Sequence, residues 1–482
     1  MNYKNLSILE LHQKLVNKEI TVLELTKLVI EETKKINGSN AINNLSEEFA
    51  LKNASNLDAK FNSNSLLFGI PYFAKDNFAT KNIETTSSSN ILKGYIPPFN
   101  ATAISKLEAS HSVLIGKTAL DELGMGGVGL YSCNGIITNP ADSQRIVGGS
   151  SSGSAYVVAK GIVPFATGSD TGDSIRKPAS FNNIVGFKPS YGAISRYGLL
   201  PYSPSLDTVG FFTRNVTDMV VISDATFGYD VKDATSFISK QENMFEKVNN
   251  LKEKTKFAYI KKVIDDLRPE VSQEYYDLFK KIKAKGHEVV EVQFKQELLD
   301  VLSPIYKMIS FSESVSTNAN LDGIKFGKRE FGKDYVEIIT NSRTKGFGDE
   351  VKKRFIVGAL NLNKENQTIY LNKAKQVRRL IVEELNKIFD QNDILIIPPT
   401  DKVAPLISEL KNEKTEGKEY LDDILTLANF NGSPSITIPF LKENKLGIGI
   451  NLNAKPKNDL LCLQAAKLLE DIIGIKNEIV ED

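Results

Sequence analysis

The chain opens on an amphipathic pattern of helical period. Apolar positions recur at Ile8, Leu11 and Leu15, and again at Leu25, Leu28 and Val29, with charged residues between them. Each run starts on a capping box, Ser7–Ile8–Leu9–Glu10 and Thr21–Val22–Leu23–Glu24, in which the hydroxyl and the glutamate satisfy each other's backbone donors. Asn37–Gly38 stops the second run. The pattern predicts a helical hairpin packed on a larger body.

From residue 65 the period changes. Short apolar runs bounded by Gly or Pro predict strands at 66–72, 113–115, 163–166, 257–260, 289–292, 394–397, 436–438 and 448–452. Amphipathic stretches near 101–110, 153–160, 215–224, 269–285, 365–389 and 457–472 predict helices. Strand and helix in alternation argue for an α/β sheet covered by helices on both faces. At 482 residues a length prior allows about three domains, but the unbroken alternation and the absence of an internal repeat favour one.

Composition narrows the classes. A 41% hydrophobic, 25% charged chain is ordinary for a soluble globular protein. The net charge of +1, with no long run of one sign, gives no dominant electrostatic case for direct nucleic-acid binding. The two cysteines, Cys133 and Cys462, form no CxxC pair, so neither a disulfide framework nor a structural zinc site is expected, which fits a reducing cytoplasm. The N-terminus lacks the apolar core of a signal peptide. No stretch approaches the roughly 18 uncharged apolar residues of a membrane span.

Candidate chemistry sits in three segments. GGSSSGS at 148–154 taken alone reads as a flexible linker, but a strand-like stretch and a second Ser/Gly motif follow closely. That motif is SDTGDSIR at 169–176. Here a tight turn leads into a helix whose first residue is expected to be Ser174. Unpaired backbone N–H groups at such a turn can hold an oxyanion, although an ordinary helix cap has the same residues. The third is GIPYFAKDN at 69–77, which ends an apolar strand on Lys75. Desolvation lowers a lysine's pKa and makes it a candidate base, whereas a lone lysine more often snorkels to water. None of the histidines, His12, His111 and His287, has a triad-like setting.

Together, GIP-x₃-KD, GGSSxGS and GSDTGxSIR-x-P resemble the amidase signature family, and Lys75, Ser150 and Ser174 follow its spacing. The resemblance implies the amidase signature fold, a large mixed twisted sheet with helices on both faces. Residues 63–482 would form the amidase domain, and 1–62 an N-terminal helical segment packed on it as one structural unit. It implies Ser174 as nucleophile, Ser150 as a bridging serine after a cis peptide, Lys75 as base, and an oxyanion hole from the backbone N–H groups of Thr171, Gly172, Asp173 and Ser174. No metal is expected.

GKTALDE at 116–122, LDTVGFFTR at 206–214, GFGDEVKKR at 346–354 and DILTLAN at 423–429 extend the likeness along nearly the whole chain. Within the family they resemble the A-subunit branch of the bacterial glutamyl-tRNA(Gln) amidotransferases. That branch implies glutamine as substrate, with Arg354 on its α-carboxylate, Asp423 on its amine and Tyr306 as a hydrogen-bonding group. It also implies a heterotrimer with B and C subunits. ATP and magnesium, and most tRNA contact, would belong to the B subunit, leaving this chain without a cofactor. The rival readings are a stand-alone amidase of small amides and an inactive scaffold protein. Two departures stand out. Asp173 occupies a position usually held by Gly, and its side chain is expected to point away from the substrate carbonyl. The loop DELGMG at 121–126 continues as GVGL, where the family pattern diverges.

Overall fold

One mixed sheet of eleven strands organises the protein. This computed structural model describes residues 2–60, 64–239, 243–411 and 419–481. In chain order the strands are β1 (Ile42–Leu45), β2 (Pro71–Lys75), β3 (Val113–Thr118), β4 (Thr138–Asn139), β5 (Asp142–Ile146), β6 (Phe165–Asp170), β7 (Val185–Lys188), β8 (Thr208–Thr213), β9 (Lys256–Ile260), β10 (Glu288–Val292), β11 (Ile394–Ile397), β12 (Ser435–Glu443) and β13 (Leu446–Ala454). The main sheet runs β1-β3-β2-β6-β8-β7-β12-β13-β11-β9-β10, and β4 and β5 form a separate hairpin. Strand β2 is parallel to both β3 and β6, and β9 is parallel to β10 and β11. The other pairings are antiparallel.

Every residue of β2, β3, β6, β7, β8 and β11 is buried. Helices cover both faces of these strands, so they show continuous apolar or small-residue runs rather than alternation. Three glycines in the centre of the sheet matter for the site. A Cβ at Gly168 or Gly210 would lie 2.8 Å from Ile175 side-chain atoms, and one at Gly186 would lie 2.6 Å from the Ala179 Cβ. The hollow they leave seats Ile175, and with it the turn that carries Ser174.

The N-terminal helices Ile8–Val16 and Val22–Lys35 start on the two expected capping boxes. Asp58 adds to the second, accepting from the Val22 and Leu23 N–H groups at 2.8 and 2.9 Å. This region is not wholly helical, because β1 pairs with β3 at the sheet edge. Buried Arg214 ties it to the core, donating to the Leu6 and Val163 carbonyls at 2.6 and 2.9 Å.

The structure corrects several expectations. The apolar run at 66–70 is a buried turn, with the Ile70 N–H bonded to the Leu67 carbonyl and Gly69 at φ 74, so the strand begins at Pro71. The helix expected from Ser174 begins at Arg176, because the Ile175 N–H is taken by the Asp170 carboxylate at 2.9 Å. Strands β1, β7 and β8 and the helices Leu302–Thr317, Tyr335–Gly346 and Asp349–Leu362 lie outside the elements that the hydrophobic pattern predicts. No helix among the described residues is long and apolar enough to cross a membrane.

Candidate active site

The site forms at the carboxyl ends of the parallel neighbours β2 and β6, where a sheet leaves side chains free to converge. Lys75 is the last residue of β2 and is 0% exposed. Its Nζ lies 2.9 Å from Ser150 Oγ, 2.9 Å from Ser151 Oγ and 2.8 Å from Ser169 Oγ. Burial pulls its pKa down to about 7, against the opposing pull of Asp121, Asp170 and Asp207. With no carboxylate among the described residues bonded to it, Lys75 is a base that is neutral for a sizeable fraction of the time near neutral pH.

Ser150 follows a cis Gly149–Ser150 peptide bond. The DELGMG loop folds over it. Buried Asp121 accepts from the Val128, Gly129 and Tyr131 N–H groups at 3.1 Å, and its own N–H donates to the Ser150 carbonyl at 3.2 Å. A Cβ at Gly149 would lie 2.1 Å from Asp121 Oδ2, so only glycine fits beneath this loop.

The Ser174 turn is fastened at both ends. Asp170 and Arg176 are fully buried, and Arg176 engages both Asp170 oxygens, with Nε 3.1 Å from Oδ2 and Nη2 2.9 Å from Oδ1. Arg176 also donates to the Gly172 and Leu425 carbonyls and to Asn429 Oδ1, each at 2.7 Å. The Thr171 hydroxyl donates to Asp207 at 2.6 Å, and Asp207 in turn accepts from the Tyr202 and Ser203 N–H groups. Ser174 is 4% exposed, and its carbonyl accepts from the Ser151 N–H at 3.3 Å. Among the described residues, the N–H groups of Gly172, Asp173 and Ser174 have no partner. A rigid turn with unpaired donors is what an oxyanion requires.

Asp173 is ion-paired with Lys177 at 3.0 Å, one helical turn along. Burial raises the Asp173 pKa, which Lys177 opposes. Lys177 also donates to the Asp422 carbonyl. Burial disfavours charge on Lys177, but Asp173, Asp422 and Asp423 outweigh it and hold its pKa above the usual lysine value.

Tyr306, on helix Leu302–Thr317, lies against the turn, since a Cβ on Gly172 would meet its ring carbons at 3.0 Å. Arg354, on helix Asp349–Leu362, donates through Nη1 to Tyr202 Oη and through Nε to Glu350, both at 3.0 Å. Its guanidinium lies 5.0 Å from the Phe311 ring centre, a cation–π arrangement. Its Nη2 has no partner among the described residues. Asp423 is half-buried at the end of helix Glu419–Asp423, within electrostatic reach of Asp173 and Lys177.

Sequence motifs assign no role to Ser151, Ser169, Asp207 or Tyr202, and they contain Asp121, Arg176 and Glu122 without singling them out. Glu122 accepts from the Gly348 N–H at 2.8 Å and from Ser89 Oγ at 2.5 Å, which joins the DELGMG loop to the start of the Arg354 helix. Burial lifts its pKa to about 7.

Similar proteins match this chain along nearly its whole length. The family model Amidase matches residues 24–463. The glutamyl-tRNA(Gln) amidotransferase A subunit of Mycoplasma pneumoniae is 41% identical, covering 98% of this chain and 99% of its own. The crystal structure of the corresponding A subunit from Thermotoga maritima superposes with a TM-score of 0.78 at 30% identity, over 98% of this chain and 95% of that one. Native peptide amidase from Stenotrophomonas maltophilia has a TM-score of 0.84 at 22% identity, over 98% of each chain, and so shares the fold. With a buried lysine on a cis-serine, a fastened Ser174 turn and a match spanning nearly the whole sequence, the chain belongs to the amidase family.

Proposed function

We propose that this chain is the glutamine-hydrolysing component of a glutamyl-tRNA(Gln) amidotransferase. The contact of Lys75 Nζ with Ser150 Oγ at 2.9 Å carries the reaction type. Ser174 Oγ attacks the carbon of the glutamine side-chain amide, and its proton passes through the Ser150 hydroxyl to neutral Lys75. The oxyanion is received by the N–H groups of Thr171, Gly172, Asp173 and Ser174. Collapse expels ammonia, which takes its proton back along the same relay. Water then cleaves the glutamyl ester and releases glutamate.

Fold alone does not choose the substrate, because the peptide amidase superposes as well as the Thermotoga protein does. Support for glutamine comes from the 41% identity to an amidotransferase component over nearly both whole chains and from Arg354, whose Nη2 has no partner among the described residues and which Tyr306 reaches electrostatically. Arg354 would fork onto the α-carboxylate, Asp423 would take the amine, and Tyr306 would hydrogen-bond the substrate.

In this reading B and C subunits complete a heterotrimer in the cytoplasm. The B subunit would hold ATP, magnesium and most of the tRNA, and this chain would carry no cofactor. Exposed Ile356 and Leu360 on the Arg354 helix, and Phe331 at 90% exposure, suit a docking partner. The test is co-expression with candidate B and C subunits, followed by an assay of glutamine-dependent conversion of Glu-tRNA(Gln). Hydrolysis of small amides without that conversion would favour the stand-alone reading.

A further inference from the structure

The departure at Asp173 sits beside a second charged residue that no catalytic step has used. The Lys177 N–H bonds to the Asp173 carbonyl at 2.9 Å, so the two residues lie one helical turn apart and their side chains meet at 3.0 Å. Short acidic side chains readily bond to backbone N–H groups close in sequence. The N–H two residues on from Asp173, that of Ile175, is already held by Asp170 at 2.9 Å. Among the described residues, the N–H groups of Gly172, Asp173 and Ser174, three of the four that would receive the oxyanion, have no partner. An unrestrained Asp173 carboxylate would compete for them and oppose the developing anion.

We infer that Lys177 is a positioning residue. From the first turn of the helix that begins at Arg176, it holds the Asp173 carboxylate and keeps the oxyanion donors open and electropositive. Its second bond, to the Asp422 carbonyl, fixes the same ammonium between the nucleophile turn and the segment bearing Asp423. The pair lets the turn carry a carboxylate next to the nucleophile. This inference rests on Ser174 being the nucleophile.

The experiment is a double-mutant cycle in the full chain assembled with its partner subunits, read as kcat and KM for glutamine. Lys177→Gln is expected to lower kcat by about thirtyfold, roughly 2 kcal/mol, with melting temperature preserved. In an Asp173→Gly background the same change should cost less than about threefold, because no carboxylate remains to be held. Lys177→Arg should keep at least about a third of the wild-type kcat. If Lys177→Gln does not fold, the near-isosteric Lys177→Met is read by the same ratio. A loss equal in both backgrounds would make Lys177 a clamp on the Asp422 segment, and no loss in either would leave it idle; both overturn the proposal. Ser174→Ala is measured alongside. Glutaminase activity surviving there would instead overturn the reading of the nucleophile.

Discussion

The two halves of the site are built differently. The Lys75–Ser150–Ser174 half hangs on the ends of β2 and β6, is buried throughout, and is fastened by Asp121, Asp170, Arg176 and Asp207. The Arg354–Tyr306–Asp423 half comes from helices packed outside the sheet. It keeps partly exposed groups and a guanidinium nitrogen without a partner among the described residues. Bond-making chemistry needs positions held to a fraction of an ångström, which a sheet core supplies. Substrate choice needs groups that stay unsatisfied until a ligand arrives, and helices at the rim can present them.

Breaking the sheet-anchored half should give the largest effects. Ser174→Ala deletes the attacking atom and little volume, so glutamine hydrolysis should vanish while the melting temperature stays near wild type. Lys75→Ala should lower the rate by several orders of magnitude. Lys75→Arg should not rescue it, since arginine is not deprotonated in a protein. Because the pKa of Lys75 is lowered to about 7 and its neutral form is the active one, the wild-type rate should rise with pH through that value and level off above it. A rate that falls with pH over that range would exclude a lysine base.

The helical half should give an intermediate and selective effect. If Arg354 holds a carboxylate, Arg354→Ala leaves a buried anion unpaired, a loss of about 3–5 kcal/mol, or about a hundred- to several thousand-fold. A neutral amide without a carboxylate should be hydrolysed at nearly the wild-type slow rate, and ammonia-dependent amidation by the complex should survive. Parallel decline of glutamine and the simple amide would make Arg354 structural. The smallest effect is expected where the two halves meet. Asp173→Gly should change the rate by less than about tenfold, or 1.4 kcal/mol, since the carboxylate is engaged with Lys177. A gain of about a hundredfold or more would mean that it faces the oxyanion after all.

What the sequence made legible follows the same division. The capping boxes and the apolar strands β9, β10, β11, β12 and β13 carry local patterns, and so do the Gly/Ser motifs of the sheet-anchored half. Strands β7 and β8 hide because Gly186 and Gly210 interrupt their apolar runs to make room for Ile175 and neighbouring backbone. Helix Leu302–Thr317 hides for another reason. Ser310, Ser312 and Ser314 occupy buried positions, with their hydroxyls bonded to helix carbonyls such as those of Tyr306 and Met308. That blurs the apolar period. Asp121, Asp207 and Tyr202 each make several contacts, among them ones to residues distant in the chain, such as Ser150 for Asp121, Thr171 for Asp207 and Arg354 for Tyr202, which no local pattern encodes. The Asp173–Lys177 pair is readable as an i,i+4 couple, but only once the turn between them is known to be helical.

The most direct measurement is to quench the wild-type complex during glutamine turnover, digest it and weigh the peptides. A glutamyl ester should be found on the peptide bearing Ser174, and should be missing from the Ser174→Ala chain. A glutamyl group carried by Ser150, a cysteine or any other residue would contradict the assignment of the nucleophile.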